Sequence, residues 1–251
     1  MTVLVTGATG NVGAHLVRSL SQRGAKLRAV GRDLDLSGGD RLFLACGNVP
    51  EQVAFECAAI DAAVAAGVKL IVKLSGPDAS VHSPRIFERW HGEIEQHLAR
   101  SGIPHVLLRP RAFMTNLFAY APAGTLFAPA GNAQISFIDP RDVADVASVA
   151  LTGDGHDGNV YTLTGPAAIT FEQVAAELST VCGRPVTYVH VTDDQAREGL
   201  PPFVADAIVG IFRSQRAGSM SDTTDTVLRL TGHEPRSFAT FARDHAAVFR
   251  G

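Results

Sequence analysis

The sequence has few cysteines, and its histidines lack the spacings typical of metal centres. Its 251 residues include three cysteines, widely spaced at positions 46, 57 and 182. An odd number of separated cysteines is typical of free thiols in a reducing compartment. The nine histidines form no His-x-x-x-His or His-Glu-x-x-His motif, so we expect no zinc site.

Long apolar runs and basic clusters are also missing. No stretch approaches the roughly 18 apolar residues of a membrane span. The first residues lack the basic start and the small-residue cleavage site of a signal peptide. The net charge is −3 and the arginines are scattered, which does not favour a nucleic-acid surface. We therefore expect a cytoplasmic protein that binds neither a membrane nor nucleic acid.

Strand and helix patterns alternate over the first 110 residues. Short apolar runs are followed by amphipathic stretches that end at glycine. This order predicts a Rossmann-type, doubly wound parallel sheet with right-handed crossovers. The predicted strands are residues 2–6, 26–30, 41–45, 69–74 and 105–108, and the predicted helices are residues 11–23, 51–66 and 84–100.

The pattern changes after residue 110. A short helix is predicted at residues 113–120, strands at 125–127, 134–138, 159–163 and 186–191, and helices at 139–151, 170–183 and much of the chain after 193. We expect a Rossmann lobe of residues 1–110 plus about 139–164. A small α+β C-terminal substrate lobe, residues 111–138 plus 165–251, is interwoven with it and is not independent.

A glycine-rich turn follows the first predicted strand directly and opens a helix. Its sequence is Gly7-Ala8-Thr9-Gly10-Asn11-Val12-Gly13. In this context the glycines let the backbone approach a pyrophosphate closely, and the helix N-terminus faces its negative charge. The alternative is a plain strand–helix turn. We predict a dinucleotide site with contacts from Gly7, Thr9, Gly10, Asn11, Val12 and Gly13.

The end of the second predicted strand bears on the choice of cofactor. An acidic residue there would accept the ribose hydroxyls and select NAD. Here Gly31 is followed by Arg32, whose guanidinium suits a 2′-phosphate, although Asp33 lies where a selecting acid would be expected. NADP(H) is therefore the preferred cofactor and NAD(H) remains open. The alternative is that Arg32 is an ordinary loop arginine.

Three stretches carry a family resemblance. They are Val5-Thr6-Gly7-Ala8-Thr9-Gly10-Asn11-Val12-Gly13, Leu108-Arg109-Pro110-Arg111-Ala112-Phe113-Met114-Thr115-Asn116 and Ile138-Asp139-Pro140-Arg141-Asp142-Val143-Ala144. The chain resembles the NmrA-like branch of the atypical short-chain dehydrogenase/reductase family, and within it the triphenylmethane reductase and NADPH:quinone oxidoreductase type. The resemblance implies a basic residue for the 2′-phosphate at Arg32. It also implies backbone contacts to the nicotinamide around Pro110 and Ala112, with Phe113 against the ring or, alternatively, in the core.

The sequence departs from this family in one place. Relatives normally have a further strand and helix between strands two and three, where this chain has only the short loop of residues 32–40. Either the sheet is trimmed by one strand at that edge or a segment is absent from this sequence. Residues that usually flank the adenine are missing in both cases.

The usual catalytic pair of short-chain dehydrogenases is also missing. That pair is a tyrosine with a lysine four residues later, but Gly124, Gly165 and Thr192 follow the three tyrosines at that distance. The three lysines, at positions 26, 69 and 73, all lie on predicted strands. This argues against epimerase chemistry and ordinary alcohol dehydrogenation, which need a positioned acid or base contributing about 10²–10⁴ to the rate.

Three residues are candidates for the catalytic centre. Ser75 ends the fourth strand, at the carboxyl edge where ligands bind in open α/β sheets, or is only a turn serine. The segment around His91 resembles one in which aligned relatives carry a lysine at this position. A histidine there could hold the nicotinamide ribose or relay a proton. The alternative for His91 is a solvated helix histidine, and we slightly favour it. Asn116 could orient a substrate carbonyl or fill a turn.

The predicted cofactor site combines all of these positions. Its members are Gly7, Thr9, Gly10, Asn11, Val12, Gly13, Arg32, Cys46, Gly47, Ser75, His91, Pro110, Ala112 and Phe113. The second lobe offers apolar residues for a substrate cleft, although most of them must be core. These residues are Phe113, Met114, Phe118, Tyr120, Phe127, Pro201, Pro202, Phe203, Ile211 and Phe212.

The chemistry that survives without a Tyr–Lys pair is hydride transfer to an acceptor that needs no strong acid. A quinone gives a delocalised anion that water can protonate, and an iminium or cationic dye needs no proton. We expect an NADPH-dependent reductase of a small apolar or aromatic acceptor, quinone-like or conjugated, acting as a monomer or homodimer. The alternative is a non-catalytic NADP(H)-sensing regulator with a protein partner. An isomerase is disfavoured by the missing acid.

Overall fold

The computed structural model describes residues 1–120 and 124–250, without the side chain of Tyr120. The strands are β1 (Thr2–Val5), β2 (Lys26–Ala29), β3 (Arg41–Leu44), β4 (Leu70–Leu74), β5 (His105–Pro110), β6 (Thr125–Ala128), β7 (Val160–Leu163) and β8 (Thr187–His190). The α-helices are α1 (Gly13–Gln22), α2 (Gln52–Ala65), α3 (Ile86–Ser101), α4 (Pro140–Thr152), α5 (Phe171–Cys182), α6 (Pro202–Arg216), α7 (Thr226–Thr231), α8 (Phe238–Asp244) and α9 (Ala246–Arg250). Short 3₁₀ helices span Met114–Tyr120 and Gln195–Arg197.

The chain divides into two compact units. The first contains Met1–Pro110, Pro140–Leu163 and Thr226–Gly232, and the second contains Arg111–Asp139, Thr164–Asp225 and His233–Gly251. Helix α7 thus lies with the first unit, where it packs on α4, whereas the sequence interpretation placed it in the substrate lobe.

A six-stranded, all-parallel sheet forms the first unit, in the order β2-β1-β3-β4-β5-β7. Its central strands are almost wholly apolar and buried, as expected of parallel strands covered by helices. Helices α1 and α4 pack together, as do α2 and α3. The predicted doubly wound α/β fold is confirmed, and it brings the carboxyl ends of β1, β3, β4 and β5 to one edge.

Strand β2 forms the edge of this sheet. The Rossmann strand order 3-2-1-4-5-6 would place one more strand beyond it, but here residues 31–40 form a loop instead. Arg28 ties the loop to the edge by donating to the carbonyls of Asp35 and Ser37. Leu36 is buried in the core beside Leu4. The sheet is therefore one strand shorter here, with a charged edge that discourages pairing with another chain.

The second unit packs around aromatic side chains. Strands β6 and β8 pair in parallel, and α5 begins with the predicted capping box between Thr170 and Gln173. The core of the second unit contains Phe171, Phe212, Phe238, Phe241 and Phe249. None of the described helices is both long and apolar enough to span a membrane.

The predicted strand at residues 134–138 is wrong. This segment makes only single bridges, Ile135 with Ile169 and Ile138 with Phe113. Ser136 turns its amide and hydroxyl toward the Met220 carbonyl instead of a neighbouring strand. The apolar alternation of the segment reflects burial on several sides, which periodicity cannot distinguish from a ladder.

Candidate functional site

The glycine-rich turn is held tightly at its base. Gly7 has φ +61°, a left-handed conformation that favours glycine, and its carbonyl accepts from the Gly10 amide at 2.9 Å. Thr6, buried at the end of β1, donates its hydroxyl to the Ala45 carbonyl at 2.9 Å and accepts from the Ala45 amide at 2.8 Å. This exchange fixes the carboxyl ends of β1 and β3 beside each other.

Two glycines of the turn serve different purposes. A Cβ at Gly13 would lie 2.8 Å from the Gly7 carbonyl carbon and 3.0 Å from Ala8 Cα, and closer still to the Gly7 oxygen. Glycine is therefore required for α1 to pack on the turn. A Cβ at Gly10 would meet only the Gly7 oxygen, at 3.2 Å. Because Gly10 is exposed, its missing side chain leaves room for a ligand.

The turn exposes most of the residues that were predicted to contact a dinucleotide. Gly7, Thr9, Gly10 and Asn11 are exposed. Val12 is different, because its side chain is buried in the core and makes no capping hydrogen bond to α1. Only the backbone of Val12 can take part in binding, so a side-chain role at this position is excluded.

Arg32, Cys46 and Gly47 lie near each other beyond the ends of β2 and β3. Burial raises the pKa of the Cys46 thiol, the Glu56 carboxylate raises it further, and the nearby Arg32 guanidinium opposes both. Arg32 is exposed, and a Cβ on exposed Gly47 would meet no atom within 4 Å. The open space and the positive charge on this side of the turn suit an anionic ligand.

A buried ion pair lies beneath this edge of the sheet. Lys73 of β4 and Glu56 of α2 are both 0% exposed, with 2.7 Å between Nζ and Oε2. Burial raises the pKa of Glu56, and the opposing effect of Lys73 is reinforced by Gln52 and by the Cys46 backbone amide. The pair thus links α2 to the ends of β3 and β4.

His91 belongs to the same cluster. Its side chain is only 8% exposed, so the solvated helix histidine that the sequence favoured is wrong. Its Nδ1 lies 3.4 Å from Lys73 Nζ. Burial, then Lys73 and then Arg109 lower the pKa of His91 well below its usual value. The imidazole is therefore neutral at physiological pH.

A second ion pair orients Ser75. Its hydroxyl donates to Glu95 Oε1 at 2.6 Å, and Glu95 is held by both Arg109 Nε and Nη2. Ser75 is 4% exposed, and its amide donates to the Leu108 carbonyl. Because its proton is engaged, Ser75 can offer a ligand only the lone pairs of its oxygen. The carboxyl end of β4 therefore carries one buried cluster, made of Glu56, Lys73, Ser75, His91, Glu95 and Arg109.

The remaining predicted site residues belong to the second unit, except Pro110, which is buried at the end of β5. Ala112 and Phe113 are half-buried and pair with Ile138. Phe113 is therefore not a fully buried core residue. Asn116 is exposed, and its amide donates to the Phe113 carbonyl within the 3₁₀ helix, which fits the turn role at least as well as a catalytic one.

The second unit contains two cavities with apolar walls. One, of about 270 Å³, is lined by Met114, Phe137, Pro166, Ala167, Ile169, Gln173, Ala176, Glu177, Ser237, Phe238 and Ala239. The other, of about 60 Å³, is lined by Ala112, Asn116, Leu117, Phe137, Phe171, Ile208, Ile211, Phe212 and Gln215. Met114, Ile211 and Phe212 thus line cavities as the sequence suggested, whereas Phe127 is 50% exposed. The side chain of Tyr120 lies outside the described residues.

Sequence reasoning missed Lys73 and Glu56 as site residues. Lys73 was noted only as a strand lysine without a tyrosine partner. Lys73 is the single charged residue inside the buried strand Leu-Ile-Val-Lys-Leu, which indicates a buried charge. Glu56 lies on the apolar helix α2 and is a carboxylate that can balance it. Charged residues are almost never fully buried unless they are paired, so a lysine inside a buried strand predicts a partner, although no local pattern identifies Glu56 as that partner.

Family membership follows from comparison with known proteins. The model of the NmrA-like family matches residues 35–225, which is most of the chain. This chain belongs to the NmrA-like family. The match includes β3, β4 and α3 of the site, so the buried cluster described above lies within the NmrA-like part of the chain.

Three relatives of this NmrA-like chain are informative. An NAD(P)H azoreductase from Xenophilus azovorans is 36% identical over 98% of this chain and 99% of its own length. A (4-alkanoyl-5-oxo-2,5-dihydrofuran-3-yl)methyl phosphate reductase from Streptomyces griseus is 37% identical over 98% and 99%. A crystal structure of NADPH-dependent quinone oxidoreductase from Escherichia coli, complexed with NADPH, has a TM-score of 0.85 and 29% identity, covering 97% of this chain and 99% of that one.

The alignment with the azoreductase is 282 positions long and so exceeds this chain's 251 residues by 31. At least 31 positions of the relative therefore have no counterpart here. That number is large enough to include the strand and helix missing beside β2.

Proposed function

We propose that this chain is an NADPH-dependent reductase that transfers hydride to a small apolar or aromatic acceptor, quinone-like or conjugated, without a Tyr–Lys pair. The observation that carries the proposal is the exposed glycine-rich turn, in which Gly13 is required for packing and Gly10 leaves open space. Full-length relatives that reduce azo compounds, a dihydrofuranone and quinones support the choice of acceptor.

The residues present fit a dinucleotide with a 2′-phosphate. Gly10 and Gly47 have no side chains where the backbone would approach a diphosphate, and both are exposed. Helix α1 begins at Gly13 without a side-chain cap, and the positive end of its dipole lies at the glycine-rich turn, where it favours an anion. Arg32 would hold the 2′-phosphate. When bound, NADPH supplies the hydride, and the protein supplies orientation.

The buried cluster can hold polar groups of a ligand, but it does not supply a strongly acidic group. Ser75 offers an acceptor oxygen and His91 is neutral, so neither brings a net charge to the carboxyl end of β4. The second unit, taken by itself, offers apolar contacts to a flat acceptor from Phe113 and from the aromatic walls of its cavity. Chemistry without a strong acid suits an acceptor whose reduced form needs none.

Arg32→Ala is expected to lower the affinity for NADPH about tenfold or more and to leave that for NADH unchanged. A hydrogen bond to a charged group contributes about 1.5–3 kcal/mol, and only NADPH has the 2′-phosphate. Titration calorimetry with both cofactors measures the difference. Arg23→Ala, which removes the same charge from the exposed end of α1, is the control. Equal losses for both cofactors would contradict this assignment.

NADPH oxidation is expected with at least some members of a panel of quinones, azo compounds and triarylmethane dyes. The rate should exceed that of NADPH with each acceptor alone, and NADH should support a lower rate at equal concentration. Absorbance of NADPH measures turnover. Absence of turnover with the entire panel, together with equal affinity for NADP and NADPH, would overturn the reductase and favour the regulator.

A further inference from the structure

Among the described residues, the polar atoms close to Lys73 Nζ are two oxygens and one imidazole nitrogen. Its ammonium donates to the Leu74 carbonyl and lies 2.7 Å from Glu56 Oε2 and 3.4 Å from His91 Nδ1. An ammonium has three N–H donors and no lone pair. His91 Nδ1 must therefore present its own lone pair to Lys73, and a proton at Nδ1 would point at a positive charge.

This contact decides the tautomer of His91. A neutral imidazole carries one N–H, and with Nδ1 as an acceptor the proton is on Nε2. The ring packs against Gly76, where an added Cβ would lie 2.6 Å from His91 Cδ2 and 3.2 Å from Nε2. The Nε2 side of the ring thus lies at the segment that directly follows Ser75, at the carboxyl end of β4.

The charged groups around His91 leave it neutral. Lys73 from β4 and Arg109 from β5 are both positive, and each has its own carboxylate partner. Glu56 from α2 pairs with Lys73, and Glu95, one turn further along α3, pairs with Arg109. Neither carboxylate accepts from His91 among the described contacts. The two ion pairs therefore position polar groups without charging the imidazole.

We propose that Lys73, held by Glu56, is a positioning residue that fixes His91 as a neutral Nε2–H donor for an oxygen of the bound ligand. The sequence hypothesis gave His91 a possible role, and Lys73 supplies the reason for its orientation. Ser75 complements it as an acceptor, because its own proton goes to Glu95. The ligand group that fits this pair is one that accepts from His91 and donates to Ser75, such as a hydroxyl.

Nuclear magnetic resonance on ¹⁵N-histidine-labelled protein without added cofactor tests the tautomer directly. The His91 signals are identified by their loss in His91→Gln. We expect an unprotonated Nδ1 and a protonated Nε2 that persist from pH 8 to pH 5. The double variant Glu56→Gln/Lys73→Met, which removes both charges at similar volume, should show mixed tautomers or protonation of His91 within that range. Lys69→Met, an exposed change just before β4, should match the wild type.

Two outcomes of that experiment overturn the proposal. One is a proton on Nδ1, or a charged imidazole, in the wild-type protein at neutral pH. The other is an unchanged tautomer in the double variant. Either result would mean that Lys73 does not position His91.

The role toward the ligand rests on the proposed function and has its own measurement. With an acceptor that the wild type reduces, the double variant should lose about tenfold in kcat/KM. Its acid limb should also move to higher pH, because the variant keeps the burial of His91 but loses the ammonium, the second of the causes that lower the pKa of His91. An unaltered pH profile would overturn the role. If no acceptor is reduced at all, the proposed function fails, while the tautomer still decides the relation between Lys73 and His91.

Discussion

Replacing Lys73 with Met is expected to destabilise the protein by about 3–5 kcal/mol, because it leaves the buried carboxylate of Glu56 without a counter-charge. The Leu74 carbonyl and His91 Nδ1 lose a donor as well. Stabilities of natural domains are about 5–15 kcal/mol, so this single change threatens folding at moderate temperature. Denaturation by urea, followed by circular dichroism, measures the loss.

The pH dependence of this loss has a definite sign. Burial already raises the pKa of Glu56 against the opposing ammonium, and removal of Lys73 raises it further. A carboxyl whose folded pKa is raised above its unfolded value binds its proton more readily in the folded state. The variant should therefore recover stability, relative to the wild type, as the pH falls from 8 toward 5.

Two further variants distinguish the effect of breaking the ion pair from the effect of any Lys→Met change in this part of the chain. Glu56→Gln/Lys73→Met removes both charges and should recover most of the loss, since neutral replacements of buried pairs are often tolerated. Lys69→Met, an exposed change just before β4, should stay within about 0.5 kcal/mol of the wild type. A loss below about 1 kcal/mol in Lys73→Met would show that Glu56 is not an isolated buried charge in that variant.

Gly13→Ala is expected to abolish dinucleotide binding, with an affinity loss of 100-fold or more, equivalent to about 2.7 kcal/mol. The added Cβ would overlap backbone atoms of Gly7 and Ala8, which cannot move aside as a flexible side chain could. The first turn of α1 must then separate from the glycine-rich turn. Fluorescence titration with NADPH measures affinity, and thermal unfolding measures the accompanying destabilisation.

Other glycines provide matched controls for this effect. Gly24→Ala, at the opposite end of α1, has φ +70° but no atom within 4 Å of the new Cβ. It should cost about 1 kcal/mol of stability and leave binding unchanged. Gly10→Ala should fold normally and weaken binding alone. Binding by Gly13→Ala within threefold of the wild type would contradict the requirement for glycine.

The sequence predicted the framework well because the relevant signals are local. Apolar runs ending at Gly7 and Ser75, and the capping box at Thr170, are each decided by a few adjacent residues. Their positions at one sheet edge then follow from parallel topology. For this reason Ser75 could be proposed from its place at the end of a strand, whereas His91 was a candidate only through the family resemblance.

The environment of each site residue could not be predicted in the same way. Whether His91 is solvated depends on how α3 sits against β4 and on the absence of a side chain at Gly76. The pairing of Lys73 with Glu56 joins positions 17 residues apart, on a strand and a helix, and no local rule connects them. Val12 was similarly ambiguous, because its burial is decided by the packing of α1.

The short edge of the sheet has a consequence for how this architecture can vary. The described polar contacts that hold His91 and Ser75 come from β4 and β5 and from helices α2 and α3, and the Cys46 amide after β3 acts on Glu56. Strand β2 supplies none of these contacts. A peripheral strand can therefore be gained or lost without rearranging the groups that hold His91 and Ser75, so chains with wider and narrower sheets can share this cluster.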